Sequence, residues 1–447
     1  MTDRIVHVKD VDSGDCDTQF FNLNYQSTFL SRVFKNRGLL SPIEYIGMEY
    51  MPFALNSYIF LLQFAYEHSE QIIQNLGAPD IWQLDRHLSL TNNTINQLDL
   101  VPHLSKNDIG ASNMGLGKYN SLYSIVNNTS TTMGKRLLKD RLLNPIVIED
   151  ELITRYSQIE TLIRDNMFKD IEKELVKIMD IERLHRKMAL GVLNPSDFAA
   201  LDISYDAVLD IINFLEKNPD ILNGLNGIYP GDEVINLFRE FIGVYRSEFN
   251  LEEIMKYHLD KISDTFFKSG ISSKIDSLSS RIKEIRDIYS NIVRRFSTLI
   301  DENAENFLKF EHNDRDGYFI SITTKRSQIL RSRFANMKKK PIQITDSFSI
   351  KSEDITFKTV NKTGCRIGHE DLKKMSNELT LLITRIGGIT RDLYLEKLRI
   401  YEEKYGEAIK SISKFIAEID LVKSNAKTAC LYGYTRPEIL TTDQSNQ

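Results

Sequence analysis

Cysteine is scarce in this chain of 447 residues: Cys16, Cys365 and Cys430 lie far apart in sequence. Three isolated thiols build no disulfide framework, which favours a reducing compartment. Glycine (21) and proline (10) are also few for this length, as suits a mainly α-helical protein. The longest apolar runs, around Tyr58 to Leu62, fall far short of the roughly 20 residues that span a bilayer. Met1-Thr2-Asp3-Arg4 has no charged-then-apolar leader, so no secretory signal is expected. Hydrophobic residues make up 41%, and 447 residues could hold two to three domains of usual size.

Enzyme signatures are missing as well. The stretch from Gly110 to Lys118 superficially looks like a phosphate-binding loop, but such a loop needs Gly, four residues, then Gly-Lys-Ser/Thr. Here Leu116 follows Gly115 and Tyr119 follows Gly117-Lys118, so no nucleotide is expected there. Cys365 and His369 form the one close Cys/His pair, and two ligands are too few for zinc. Trp82 is read as a packing residue.

The net charge of −5 hides an uneven distribution. Between Lys309 and Lys374 stand 15 basic and 8 acidic residues, a local excess of seven, which leaves −12 on the remaining 381. A basic segment on an acidic body suits a localised anionic partner, nucleic acid first, with a solvated surface run as the alternative.

Residues 1 to about 20 read as a polar opening segment with one strand-like piece, Ile5-Val6-His7-Val8. Helical signals dominate from Thr28 onward. Leu55, Ile59, Leu62 and Tyr66 share one helical face. A loop rich in Gly, Asn and Ser occupies Gly110 to Gly117, and Pro195 opens a helix with Ser196-Asp197 in its first turn. Pro219 and Pro230-Gly231 punctuate the chain before the next block.

Two apolar stripes then follow a strict 3-4 alternation. One runs through Ile275, Leu278, Ile282, Ile285, Tyr289, Ile292, Phe296 and Leu299, and the other through Leu372, Met375, Leu379, Leu382, Ile386, Ile389 and Leu393. This is the spacing of a coiled-coil seam. Each predicts a helix roughly 35–40 Å long, and the pair suits an antiparallel hairpin. Between them, Tyr318 to Ile322, Ile342 to Ile350 and Ile355 to Val360 are rich in β-branched and aromatic residues, which predicts a small antiparallel sheet at the tip.

That sheet coincides with the basic segment. Candidate phosphate contacts are Lys325, Arg326, Arg331, Arg333, Lys338, Lys339, Lys340, Lys358, Lys362 and Arg366; some reach the anion and the others are solvated tip charges. No base-reading helix is evident from the spacing, so binding should be sequence-independent and salt-sensitive.

Particular strings carry a family resemblance. Leu122 to Leu138, ending Thr131-Thr132-Met133-Gly134-Lys135-Arg136-Leu137-Leu138, resembles the "T-x-M-G-x-R-L-L" segment of the MutS DNA mismatch repair family. Leu142-Leu143-Asn144-Pro145-Ile146, the helix Arg155 to Leu162 ("R-x-x-x-V-E-x-L") and Asp180-Ile181-Glu182-Arg183-Leu184 ("D-L-E-R-L") follow in the family's order. Phe267 to Leu278, the strand Gly317-Tyr318-Phe319-Ile320-Ser321-Ile322-Thr323, the return strand Lys362 to Ile367 and Leu431 to Ile439 ("x-x-Y-V-R-P-x-I") complete the series. The resemblance covers about Leu23 to Ile439, and the stretch from Leu40-Ser41-Pro42-Ile43-Glu44-Tyr45-Ile46 to Tyr66-Glu67-His68 is most similar to the branch of giant viruses and octocoral mitochondria.

The resemblance implies a mainly α fold: a helical core with a long antiparallel two-helix lever carrying a small β-containing clamp at its tip. The implied division is 1–20, the end of a connector-like domain; 21–274, helical core; 275–302, descending lever; 303–370, clamp; 371–396, ascending lever; 397–434, return to core; and 435–447, a link toward an ATPase domain. The family's mismatch-reading domain and its ATPase are expected outside this chain. Phe214-Leu215-Glu216 and Phe238-Arg239-Glu240 match the reader's Phe-x-Glu triplet only by coincidence, since both sit in helical runs in the wrong place. The expectation is a non-enzymatic arm that encloses double-stranded DNA, with ATP and Mg confined to the absent ATPase and no cofactor of its own. Implied partners are DNA, a second MutS-type subunit, an ATPase segment in cis or trans and a MutL-type protein, with no membrane. The compartment would be the cytoplasm (a viral factory for a virus), nucleus or mitochondrion. Two rivals are a MutS-like recombination factor clamping branched DNA and a structural coiled-coil tether.

Overall fold

The computed structural model describes residues 18–34, 39–68, 73, 76–79, 86–102, 120–301, 307–313, 315–337, 341–345, 348–360 and 362–439. The strand-like Ile5 to Val8, Cys16, Trp82, the Gly110 to Gly117 loop and Lys338 to Lys340 lie outside these residues. Helices of eight residues or more are α1 (Leu23–Val33), α2 (Pro52–His68), α3 (Thr132–Leu143), α4 (Glu149–Ile163), α5 (Phe168–Leu175), α6 (Ile181–Ala189), α7 (Pro195–Lys217), α8 (Asp232–Glu248), α9 (Ser273–Ile300), α10 (Thr324–Asn336) and α11 (Glu370–Tyr432). The strands are β1 (Leu308–Asn313), β2 (Gly317–Thr323), β3 (Pro341–Thr345), β4 (Phe348–Lys351), β5 (Thr356–Thr359) and β6 (Gly364–Gly368). The fold is therefore mainly α with a small antiparallel sheet. No helix among the described residues is long and apolar enough to cross a membrane.

The chain forms two compact units. The first comprises Met1–Leu190, Ile203–Val234 and Ile409–Gln447; the second comprises Gly191–Asp202 and Ile235–Ala408. In the first unit, Phe29, Leu30 and Val33 of α1 pack with Leu55, Ile59 and Leu62 of α2. Each such side chain removed from water contributes about 1.5–3 kcal/mol.

The family strings of the first unit are explained by its polar contacts. Thr131 caps α3, its hydroxyl accepting from the Gly134 amide at 2.9 Å. The buried Asp420 carboxylate of α11 accepts from the Ser130 amide (2.9 Å), the Thr131 amide (2.7 Å) and the Thr131 hydroxyl (2.7 Å). A negative charge at a helix N-terminus also meets the positive end of the helix dipole. Lys423 completes the group, 3.0 Å from Asp420 and donating to Asn128 O and Ser130 Oγ at 2.8 Å each. Glycine is required at 134, because a Cβ there would lie 2.3 Å from Asp420 Oδ2. Two residues on, Arg136 reaches both oxygens of Asp180 (2.7 and 2.8 Å) and Glu182 (2.7 Å). Two strings far apart in sequence are thus one ion-paired junction, and Arg136 holds the Asp180 carboxyl below its usual range.

In the second unit the first apolar stripe falls on α9, burying Ile275, Ile282, Ile285, Tyr289, Ile292 and Phe296. It runs antiparallel to α11: Arg281 pairs with Glu378 at 2.7 Å, while Tyr289, eight residues later, donates to Leu372 O at 2.7 Å, six residues earlier. The second stripe departs from the heptad reading beyond Ile386. Thr390, Tyr394 and Leu398 are buried, whereas Ile389 and Leu393 are only half-buried. Past Ile386, α11 meets an aromatic cluster in which Tyr394 touches the rings of Phe198, Phe249 and Phe266. A straight helix repeats every 3.6 residues, so a face set by this cluster advances by fours and leaves the 3.5-residue seam. α11 also continues unbroken through Glu396 and Lys397, where the lever and the return to core are expected to meet.

Candidate nucleic-acid interface

Four strands in the order β1-β2-β6-β5, all antiparallel, form the sheet of the basic segment, and β3 pairs with β4 separately. Two elements here go beyond what residue composition predicts. One is β1; the other is α10, a 13-residue helix where strands alone were expected.

Alternation along the strands divides the sheet into two faces. Leu308, Ile320, Ile322, Cys365 and Ile367 are buried on one. This face is covered by α10, whose Ser327 hydroxyl lies 3.6 Å from Cys365 Sγ and whose Phe334 meets Phe296 of α9 at 5.3 Å. Tyr289 of α9 stacks on Phe310 of the same face at 4.4 Å. The Cys365 thiol therefore packs as a small buried side chain. Among the described residues no group of three His, Cys, Asp or Glu side chains is placed to hold a metal.

The opposite face carries charge. Register sets Lys309 of β1 opposite Ser321, Ser321 opposite Arg366, and Arg366 opposite Lys358. Cross-strand neighbours share a face, so Lys309, Arg366 and Lys358 form a basic row across all four strands. Lys309 and Lys358 are exposed and have no ion-pair partner among the described residues. Arg366 is held in place, 2.6 Å from Asp316 and 3.8 Å over the Phe319 ring. That pairing keeps the Asp316 carboxyl below its ordinary range.

The other candidates separate by what they touch. Arg326 lies 3.9 Å over the Phe307 ring, and Arg331 lies 4.9 Å over Phe357 while donating to its carbonyl at 3.2 Å. Both arginines are spent partly on local packing, although each keeps its charge. Lys325 and Arg333 of α10 and Lys362 before β6 are exposed and unpaired among the described residues. Lys338, Lys339 and Lys340 are outside the description. Lys309, missing from the sequence-derived set, was findable only through register, since β1 itself went unread.

Beside this face runs a groove of about 1320 Å³, bordered by Lys358, Arg366, Arg315 and Lys373. The Tyr318 amide donates to Ser376 of α11 at 2.9 Å, fixing the sheet to the long helix at the groove.

A mainly helical chain whose paired long helices carry a small, one-sidedly basic sheet has the arrangement of the MutS class of DNA mismatch repair proteins. The family model for MutS domain III matches residues 93–426, about three quarters of the chain, and the chain belongs to that family. A mutS homologue of Acanthamoeba polyphaga mimivirus, named as a DNA mismatch repair protein, is 31% identical over 440 residues, covering 94% of this chain and 38% of its own. The mitochondrial DNA mismatch repair protein mutS homologue of the octocoral Sarcophyton glaucum is 26% identical over 437 residues (94% and 39%). DNA mismatch repair protein MutS of Petrotoga mobilis is 24% identical over 366 residues (82% and 39%). The chain spans about two fifths of the length of these relatives.

Proposed function

We propose that this chain contacts and encloses duplex DNA through the open face of its β-tip, as the clamp-bearing part of a MutS-type protein. The observation that carries the reading is the row Lys309–Arg366–Lys358, whose outer members project unpaired while the reverse face of the sheet is buried. Fixed cations spaced along a rigid sheet suit phosphates and read no base edges, so affinity should be sequence-independent. Lys325 and Arg333, on the helix that covers the reverse face, and Lys362 add positive potential around the tip, as do the three stacked arginines.

In this reading α9 and the antiparallel part of α11 hold the tip rigidly enough to transmit the state of an ATPase segment acting in cis or trans. ATP and Mg act in that segment and the chain holds no cofactor itself. A second MutS-type subunit closes the ring around DNA, and a MutL-type protein is a further partner.

Fluorescence anisotropy with a labelled 30-base-pair duplex tests this. With about four lysine–phosphate contacts, the log–log slope against salt is about −3.6, a loss of roughly 150-fold between 50 and 200 mM. Affinity independent of salt, or no binding, removes the DNA reading and leaves the tether. Homoduplex, mispaired and four-way-junction DNA compared side by side separate mismatch repair from a role on branched DNA.

A further inference from the structure

Arg155 leads one of the family strings, yet DNA binding at the tip makes no use of it. On α4 it stands four residues after Glu151 and three before Gln158, so all three share one helical face. That face lines a cavity of about 610 Å³ inside the first unit, with Arg141, Lys414 and Glu418 also on its walls. The segment bearing Arg86 is secured by its carbonyl, which accepts from the Val147 amide at 3.1 Å. Gln158 donates to Asn226 O at 3.0 Å and ties the 226–231 loop across one side.

The charges in this cavity do not balance. Arg86 is paired with Glu151 at 2.6 Å, and Arg141 is paired with Glu418. Arg155 is half-buried, and its guanidinium makes neither a hydrogen bond nor an ion pair with any described residue. Lys414 is also without an ion pair there, and Asp150 is the one further acid on the lining. Among the described residues of the lining, four cations thus stand against three anions, with Arg86 and Lys414 exposed to solvent. Burial, with Arg141 next, depresses the Arg155 guanidinium below its ordinary pKa. Glu418 and Glu151 act on it only through space, and a partly desolvated guanidinium that no described carboxylate touches gains from a direct partner.

We infer that this cavity receives the carboxylate of an acidic residue on a protein segment, with the Arg155 fork as its anchor. A single excess positive charge matches one carboxylate, and a guanidinium binds it through two parallel hydrogen bonds. Glu151, Glu418 and Asp150 ring the same space and repel a ligand of repeating charge, such as a nucleic-acid backbone. Tyr229 and Phe415, edge to face at 6.0 Å, add apolar surface for the residues flanking the acid.

Ligand-observed NMR suits so small a contact. Resonances of acetyl-Leu-Glu-Leu-amide should broaden on adding the chain, while those of acetyl-Leu-Gln-Leu-amide stay sharp. Arg155→Gln should weaken the glutamate peptide about tenfold to a hundredfold, the loss of a charged hydrogen-bonded pair, whereas Lys358→Glu, in the other unit, should leave it unchanged. Neither inorganic phosphate nor duplex DNA at equal concentration should displace the peptide. Equal broadening by both peptides, binding indifferent to Arg155→Gln, or displacement by phosphate or DNA would overturn the assignment. Arg155→Gln should also keep the wild-type melting temperature; a fall of several degrees would make Arg155 a structural residue and equally overturn it.

Discussion

Replacing Asp420 with alanine tests the packing argument where it is most quantitative. The carboxylate accepts two backbone amides and one hydroxyl at the start of α3 and faces the Lys423 ammonium at 3.0 Å, both side chains being fully buried. Removing one member of a buried ion pair costs about 3–5 kcal/mol, and Lys423 would keep only its longer contact with Glu172 at 3.7 Å. The loss should stand near the upper end, since the N-terminus of α3 also loses its acceptors. With an m-value of about 2 kcal/mol per molar urea, the midpoint for the first unit should fall by about 2 M. Hydrogen exchange gives the local readout: the Ser130 and Thr131 amides should lose protection first. Adding Lys423→Met removes the poorly compensated ammonium, so the double variant should recover at least about 1.5 kcal/mol relative to additivity. A midpoint shift under about 0.5 M, or strictly additive variants, would refute the view that this group joins α11 to α3.

The buried His185 predicts a pH effect. Burial depresses its pKa to about 3, against about 6.5 for an exposed imidazole. The unfolded chain therefore binds the proton more readily, and stability falls as pH drops from about 6.5 toward 3, by about 1.4 kcal/mol per unit at most. Urea midpoints at pH 7.0 and 5.0 should show this decline, and His185→Gln should flatten it; an equal decline in the variant removes His185 as its source. At Gly387 a Cβ would sit 2.1 Å from the Ile262 carbonyl oxygen, a backbone atom with little room to yield. Gly387→Ala should cost about 1–3 kcal/mol by overpacking, read from the melting temperature; an unchanged or higher value contradicts that contact.

Much of this fold was legible in the sequence because long helices repeat one pattern many times. The stripe from Ile275 to Phe296 needed only its spacing, and the aromatic strand Tyr318 to Ile322 only its composition. α10 was not legible: Thr324 to Asn336 buries just Ser327, Leu330 and Phe334, too few apolar positions to announce a helix among eight other polar or charged ones. β1 was missed because Lys309, Glu311 and His312 dilute its alternation, and with β1 went Lys309. The seam of α11 was extrapolated too far, since Ile389 and Thr390 differ in apolarity in the wrong sense for their burial. Only the aromatic cluster around Tyr394 decides that face, and it is assembled from residues nearly two hundred positions apart. The Asp420–Lys423 pair was equally hidden, because two charges one turn apart on a helix ordinarily face water.

The most direct test of the DNA reading is the affinity of Lys309→Glu/Lys358→Glu for a 30-base-pair duplex across a salt series. Both side chains are exposed and unpaired among the described residues, so charge reversal should leave the fold intact, checked by circular dichroism. The predicted result is a loss of more than about tenfold at low salt and a log–log salt slope shallower by about two, one unit for each phosphate contact removed. Wild-type affinity with an unchanged slope would contradict the assignment of this face to DNA.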